Sequence, residues 1–268
     1  MGELAEVLSM PFVQRALLAG GMVGLLSGFF GVFVVQRGLS FMGNGLAHAT
    51  FGGVALALLL GWGHHLWVAA PFTVAIALGI TWSQRRTGMS GDTMIGIFFA
   101  ISMALGIIFL HLRREYTADA WAILFGDVLT VTAGDVWLMA AAMAAVLAAL
   151  PLWNRWAYAT FDRELAEADR LRVGRDDYLL SVFLALTVVV SVKVVGVVLI
   201  AALLVIPAAT ARLLAPTFLA MTLISLGLGL GGVLAGMALA WPLDLPPGPV
   251  MILVHSAFFF AAALARRG

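Results

Sequence analysis

The sequence predicts an all-α, polytopic membrane protein with eight to nine transmembrane helices, and its composition carries this prediction. Hydrophobic residues make up 63% of the 268 positions and charged residues only 11%, whereas soluble domains carry about 25% charged residues. The mean hydropathy is +1.06. Because lipid cannot hydrogen-bond to the backbone, helices are favoured as the spanning elements. We therefore expect residues 1–268 to form a single transmembrane domain.

Apolar stretches of suitable length recur along the chain, each close to the about 20 residues that a spanning helix needs. Two segments, 117–131 and 195–213, are doubtful and either could be re-entrant, which leaves the count at eight or nine. The predicted spans lie near 11–35, 42–60, 65–82, 93–110, 133–152, 178–193, 195–213, 217–240 and 249–265.

Glycines recur three or four residues apart in two of these spans. This spacing lets two helix backbones approach closely. It fits packing within one chain, and it also fits a seam between two copies of the chain. The glycines are Gly20, Gly24, Gly28 and Gly31 in the first span, and Gly227, Gly231, Gly232 and Gly236 in the eighth.

The second span contains the strongest candidate site. Asn44 and His48 are four residues apart and therefore share a helix face. If the helix begins near Ser40, His48 lies about 12 Å into it, a depth at which ionisable groups usually line a pathway or a cavity. Imidazole is a good ligand for zinc, copper, iron and nickel. One chain cannot close a four-ligand site, but two copies meeting at a two-fold axis could supply two of each side chain. The alternative is a buried histidine bonded to a neighbouring carbonyl.

Four other residues are weaker candidates for the transport path. His64 and His65 form a pair in a short outer loop, where they could meet a metal or simply belong to the loop. Pro207 interrupts the hydrogen bonding of its helix, so that helix either lines a cavity or is merely kinked. His255, in the last span, fits a hydrogen-bonded interior residue better than a ligand.

Residues 154–177 form a polar hub between two blocks of apolar sequence. They carry 11 of the 29 charged residues, the sum of 15 Lys+Arg and 14 Asp+Glu. One charge at the bilayer centre costs roughly 2.5–3.5 kcal/mol, so the hub is expected to face water. Phe161, Leu165 and Ala168 recur at helical spacing, which predicts an amphipathic helix of about three turns. A solvated connecting loop is the alternative.

The distribution of basic residues predicts the orientation. With nine spans and a cytoplasmic hub, 11 of the 15 Lys+Arg residues lie on the cytoplasmic side, as the positive-inside rule requires. The N-terminus is then outside, and an eight-span arrangement would place it inside. The single lysine, Lys193, is not in a Gly-Lys-Ser/Thr context, so the chain has no P-loop and any ATP must bind another subunit. The chain has no cysteine, which excludes thiolate metal sites.

Four separated motifs carry a resemblance to a known family. They are RGLSFMGNGLAHATFGG, FDRELAEADRLRVGRDDYLL, VVGVVLIAALLVIPAATARLL and LDLPPGPVMILV. Together, in this order, they resemble the permease subunits of bacterial ATP-binding-cassette importers for zinc, manganese and iron. The similarity extends over about residues 15–265.

The resemblance implies a type II importer permease architecture in the bacterial inner membrane. It implies a homodimer that carries two cytoplasmic ATPase subunits and receives metal from an extracytoplasmic binding protein. It also implies that the hub contains the coupling helix, which docks on the ATPase. The residues that match the family's coupling motif are Phe161, Asp162, Glu164, Leu165 and Ala166.

The resemblance further implies that the metal position consists of an acid and a histidine four residues apart. His48 matches the histidine, but Asn44 stands where the family has aspartate. Two amides offset less of a divalent ion's dehydration than two carboxylates would. A second departure is Asp169-Arg170, where the family usually has an apolar residue and glycine.

The function that follows is import of a divalent transition metal, with zinc ahead of manganese because the matching ligand is imidazole. The metal is the substrate, and we expect no permanently bound cofactor, no covalent chemistry and no nucleic-acid partner. The first alternative is a permease for a metal chelate such as a siderophore or corrinoid. The second is an intramembrane enzyme, for which the sequence has neither HExxH nor GxSxG.

Overall fold

The structure is a computed structural model that describes residues 9–113, 126 and 128–266. The predicted doubtful segment 117–131 lies largely outside this range, and none of the described residues is in a strand. The helices are α1 (Pro11–Gln36), α2 (Met42–Leu59), α3 (Leu66–Thr87), α4 (Gly91–Leu112), α5 (Ala133–Ala149), α6 (Trp153–Phe161), α7 (Arg163–Ala168), α8 (Val173–Val195), α9 (Ile200–Leu214), α10 (Phe218–Ala240) and α11 (Pro247–Ala265).

Eight helical segments in the described ranges are long and apolar enough to cross a bilayer, with α5 and α6 together forming one of them. The predicted fold class is therefore confirmed. The ninth segment, α9, has only 15 residues, or about 22 Å at 1.5 Å per residue.

The contacts at the start of α10 show that α9 runs through the bundle. Phe218 lies with its ring centroid 5.4 Å from that of Trp153 and 5.3 Å from that of Phe161, both in α6. The helix α8 leads away from the hub, so α9 must return the chain to the hub end. Nine segments in the described ranges thus alternate in direction, eight of them long enough to span a bilayer.

The glycine-rich face of α1 packs within the chain. A Cβ atom on Gly24 would lie 2.6 Å from the carbonyl oxygen of Gly229 in α10. One turn further on, the Ser225 hydroxyl donates to the carbonyl of Gly28 at 2.7 Å. Gly227 and Gly231 differ, because a Cβ at either would meet nothing within 4 Å. Intrachain packing therefore accounts for the first set of glycines, while this second pair lies on an open face of α10.

The hub contains two short helices, so the prediction of one amphipathic helix of about three turns is wrong. Asp162 separates α6 from α7 with extended backbone angles, φ −143° and ψ 93°, and its Oδ1 accepts a hydrogen bond from the Leu165 amide at 2.9 Å. Asp162 is thus the N-cap of α7. Phe161 consequently ends α6 and does not share a helix with Leu165. The left-handed Arg170, with φ 60°, follows the end of α7.

Two acids of the hub are buried within the bundle, although the charge density of the hub predicts contact with water. Asp176 and Asp177 lie near the start of α8 and are only 2% and 7% exposed. Both carboxylates are paired with arginines. Burial of these charges is possible because the partners come from other parts of the bundle, which local sequence spacing does not reveal.

Candidate metal site on the second transmembrane helix

Most of α2 is enclosed by the bundle, and one face remains open. Fourteen of its eighteen positions are buried. At 3.6 residues per turn, the remaining four fall within an arc of about 120°. They are Asn44, His48, Leu56 and Leu59. The two residues singled out by the sequence therefore lie on the open face, in the half of α2 nearer the hub.

Glycines on the other faces of α2 bring the neighbouring helices close. A Cβ on Gly43 would lie 3.2 Å from the Cα of Ala201 in α9, and one on Gly45 would lie 2.7 Å from Cγ2 of Ile95 in α4. On the α3 side, Thr50 and Thr73 share a hydrogen bond of 3.1 Å between their hydroxyls. These contacts enclose α2 on several sides and orient the Asn44–His48 face away from the core.

The His48 imidazole is held by packing alone. Its ring centroid lies 4.6 Å from that of Phe99 in α4, with the planes 30° apart. Its Nδ1 is buried without a hydrogen-bond partner. Within the described ranges, no hydrogen bond reaches the Asn44 amide either. A buried polar atom left unpaired costs about 1–3 kcal/mol. The sequence alternative of a histidine bonded to a neighbouring carbonyl is therefore not what the structure has at position 48.

His255, in the same bundle, differs from His48 in having one ring nitrogen bonded to a backbone carbonyl, although its Nε2 is also buried without a partner. It is fully buried in α11, and its Nδ1 lies 2.7 Å from the Met251 carbonyl oxygen one turn earlier. Its ring lies against Gly232 of α10, where a larger side chain would collide with it. This is the arrangement of an interior histidine with a packing role.

The remaining candidates lie away from the Asn44–His48 face. The eleven residues of α2 that follow His48 cover about 17 Å, and His64 and His65 come after them, in the turn before α3. His64 is exposed and His65 is half-buried. Pro207 is buried in α9, and a Cβ on Gly31 would touch the neighbouring Ala208 at 3.2 Å. Pro207 thus lies where α9 packs on α1.

The described residues of one chain do not form a complete metal site. No group of three or more His, Cys, Asp or Glu side chains that could bind a metal occurs among the described residues. Structural zinc sites almost always have four ligands. A metal held by Asn44 and His48 would therefore need further donors from outside this set.

A cavity of about 620 Å³ at the hub end is unsuited to a metal cation. Its lining includes three arginines and a single acid, Asp177, so its net charge repels divalent cations. It reaches α2 at Met42, which is two positions, or about 200° of helix rotation, from Asn44. The cavity therefore lies on another side of α2 from the candidate site.

Comparisons with known proteins identify the family of this chain. The sequence profile of the ABC 3 transport family matches residues 9–266. The chain belongs to the ABC 3 transport family. The resemblance inferred from the four motifs is thereby confirmed, and so is the placement of the chain as a multi-pass membrane protein.

Individual members of this family match over nearly their whole length. The manganese transport system membrane protein MntC of Listeria monocytogenes is 34% identical over 262 residues, covering 97% of this chain and 93% of the relative. The high-affinity zinc uptake system membrane protein ZnuB of Haemophilus influenzae is 31% identical over 253 residues, covering 94% and 96%. Among solved structures, PsaBC from Streptococcus pneumoniae in complex with Fab superimposes with a TM-score of 0.85 at 32% identity, covering 97% of this chain and 94% of that one.

Sequence reasoning missed two features of this region. Phe99, which supports the His48 ring, has no distinguishing pattern in the apolar sequence of α4. The arginines Arg37 and Arg85 were counted only as basic residues that indicate orientation, whereas both pair with Asp177. The available signal was an acid at the start of one span and arginines at the ends of two others.

Proposed function

We propose that this chain is the membrane permease of an ATP-driven importer that carries a divalent transition metal, zinc or manganese, into the bacterial cytoplasm. The observation that carries the proposal is the His48 imidazole, which lies unpaired beside Asn44 on the open face of an otherwise enclosed apolar helix. Family membership supports it, as do relatives named for manganese and for zinc transport.

Two copies of the chain complete the site in this proposal. Two imidazole nitrogens and two amide oxygens around a two-fold axis supply four donors, the usual number for zinc. The neighbouring helix α4 supports this arrangement, because Gly96, Ala100 and Ala104 form an exposed row of small residues spaced four apart. Such rows let helices of two subunits approach closely.

Asn44 makes the proposed site electrically neutral before metal binds. A pair of aspartates would contribute two negative charges, so the asparagine pair is expected to bind the ion more weakly and to release it more readily. Imidazole favours zinc, while manganese prefers oxygen donors. The named relatives include both metals at similar identity, so zinc remains first on the ligand chemistry alone.

The permease performs no covalent chemistry in this proposal, and partner subunits hydrolyse ATP. The short helix α7 is the coupling helix. Two apolar side chains there fit a docking role, because Phe161 at the end of α6 and Leu165 in α7 are 58% and 50% exposed although the hub around them is polar. Closure of two ATPase subunits moves the α7 helices of two permeases, which opens the His48 path to the outer side. A binding protein then delivers metal there.

The proposal is tested by metal uptake in liposomes that contain the permease, its partner ATPase and its binding protein. We expect ATP-dependent uptake of zinc or manganese by the wild type and at least a tenfold loss with His48→Ala. His64→Ala is the matched control, because it removes an exposed histidine outside the site, and we expect it to transport like wild type. Unchanged uptake with His48→Ala would remove this residue from the path. Uptake of a siderophore or corrinoid with no uptake of free metal would show that the substrate is a metal chelate and not a free metal ion.

A further inference from the structure

We propose that Asp177 is a positioning residue that ties the coupling helix α7 to the cytoplasmic ends of α1, α3 and α8, so that these elements move as one body. The inference rests on the proposed function, because it assigns the means by which movement of α7 reaches the transport path. All four elements meet at this carboxylate.

Three arginines converge on this one side chain. Asp177 Oδ1 accepts from Nη1 of Arg37 at 2.8 Å, and its Oδ2 accepts from Nη1 of Arg85 at 3.2 Å and from Nη2 of Arg163 at 3.0 Å. Arg37 directly follows α1, Arg85 is in the last turn of α3, and Arg163 is the first residue of α7. Asp177 itself is near the start of α8.

Further contacts position two of the arginines that bind the Asp177 carboxylate. Arg37 also donates through Nε to the Thr160 hydroxyl at 2.9 Å, and Thr160 donates to the Trp156 carbonyl at 2.6 Å. This fixes the guanidinium of Arg37 against α6. Arg85 lies directly over Gly174, where a Cβ would come within 2.6 Å of its Nη2. A Cβ atom at position 174 would therefore require the guanidinium of Arg85 to shift.

The charges make the tie dependent on Asp177. The three guanidinium groups repel one another, and Asp177 is the acid that all three share, with Glu167 adding a second partner for Arg163 alone at 3.3 Å. The side chain of Asp177 is 9% exposed and that of Arg37 is 16% exposed, so water screens this pair only weakly. If Asp177 were neutral, the arginines would separate and α7 would lose its attachment to α1 and α3.

From Asp177, direct contacts lead to the candidate metal site. The last turn of α3 is held by Arg85, and further along α3 the Thr81 hydroxyl bonds to Ser181 of α8 at 2.7 Å. Thr73, two turns earlier in α3, bonds to Thr50 of α2. Thr50 is two residues from His48. Displacement of α3 by α7 would therefore act on the helix that carries the proposed ligands.

Asp176 is the matched control that the chain itself provides. It is more deeply buried than Asp177, at 2% exposure, yet it pairs only with Arg155 of α6, at 2.9 Å. Its loss removes a buried acid and an ion pair from the same turn but leaves the link between α7, α1 and α3 intact. A residue with a merely structural role would resemble Asp176 in its effects.

The test measures metal uptake and ATP hydrolysis together in the reconstituted complex. We expect the Asp177→Asn permease to bind its ATPase subunits and the complex to retain most of its ATP hydrolysis. The number of metal ions transported per ATP hydrolysed should fall at least tenfold. Asp176→Asn is expected to keep the wild-type ratio, and Asp177→Glu to restore part of it. If Asp177→Asn is poorly folded, Arg85→Gln, which leaves the acid in place, should lower the ratio by several fold.

Two outcomes separate this inference from the proposed function. Absence of zinc and manganese uptake by the wild type would overturn the function. Wild-type uptake together with an unchanged ratio in both Asp177→Asn and Arg85→Gln would overturn only the role of Asp177. A proportional fall of uptake and hydrolysis would do the same, because it indicates general loss of structure.

Discussion

The apolar bundle contains two polar regions, the Asn44–His48 face and the Asp177 cluster, which consists of Asp177, Arg37, Arg85 and Arg163. They differ in whether their polar atoms have hydrogen-bond partners. His48 has a buried nitrogen without a hydrogen-bond partner, while the two carboxylate oxygens of Asp177 accept hydrogen bonds from three arginines. The Asp177 carboxylate joins separate helices through bonds within the chain, whereas the His48 nitrogen is left unpaired at a free-energy cost. The lack of a partner alone does not identify a ligand site, because other buried atoms such as Nε2 of His255 are unpaired as well. His48 differs from these in lying beside Asn44 on the open face of α2.

Removal of Arg37 should cause the largest loss of stability. Arg37→Ala breaks a mostly buried ion pair and the bond to Thr160. Breaking a buried pair costs 3–5 kcal/mol, and partial exposure lowers the expected loss to about 3 kcal/mol. Thermal unfolding of the purified permease in detergent checks this value. Arg86→Ala, the exposed neighbour of Arg85, is the control and should unfold like wild type.

Metal should stabilise the wild type, and this effect should depend on His48. At a concentration of 100 times Kd, a bound ligand adds about 2.7 kcal/mol to stability. The His48→Ala variant should lack this increment. Without metal, its free energy of unfolding should be close to that of the wild type, because the substitution removes the packing contact with Phe99 and no hydrogen bond. Thermal unfolding with and without zinc measures both. A large loss of stability without metal would show that His48 is structural, contrary to the comparison above.

Restoring the acid at position 44 should strengthen binding more moderately. Asn44→Asp adds a negative charge beside His48, and we expect Kd to fall about tenfold, or 1.4 kcal/mol. The preference should shift toward manganese, because that ion favours oxygen donors. The measurement is a competitive titration of the two metals in which thermal unfolding reports binding. Equal affinity in the variant and the wild type would indicate that residue 44 does not touch the metal.

The smallest effect is expected at the other end of α8. Lys193 pairs there with Asp135, but its side chain is 32% exposed, and Thr132 also bonds to Asp135. Lys193→Met should therefore lower stability by only about 0.5–1 kcal/mol. Thermal unfolding tests this, with transport expected to persist. A loss of stability as large as that of Arg37→Ala would mean that the ion pairs at the two ends of α8 contribute equally to stability.

Much of the fold could be predicted from sequence because lipid imposes simple rules. The apolar run predicted at 42–60 became the helix Met42–Leu59, since length and hydropathy decide whether a segment spans. The hub was located by charge density for the same reason. The break at Asp162 was missed, because Phe161 and Leu165 keep helical spacing across it and only the capping bond distinguishes two helices from one.

The candidate site could be predicted only in part. Spacing places Asn44 and His48 on one face, but whether that face is open depends on which helices Gly43 and Gly45 admit. The Asp177 cluster had no local signal, because Arg37 is 140 residues away and Arg85 is 92 residues away. Such contacts follow from the assembled bundle and cannot be derived from helical periodicity.

The central claim is that two copies of the chain meet at the Asn44–His48 face. The chain has no cysteine, so single substitutions provide clean cross-linking sites. His48→Cys in membranes should form a dimer with a short bifunctional maleimide, and Gly227→Cys, on the open face of α10, should not. Cross-linking through position 227 and none through position 48 would place the seam elsewhere and would contradict a metal site shared between two His48 side chains.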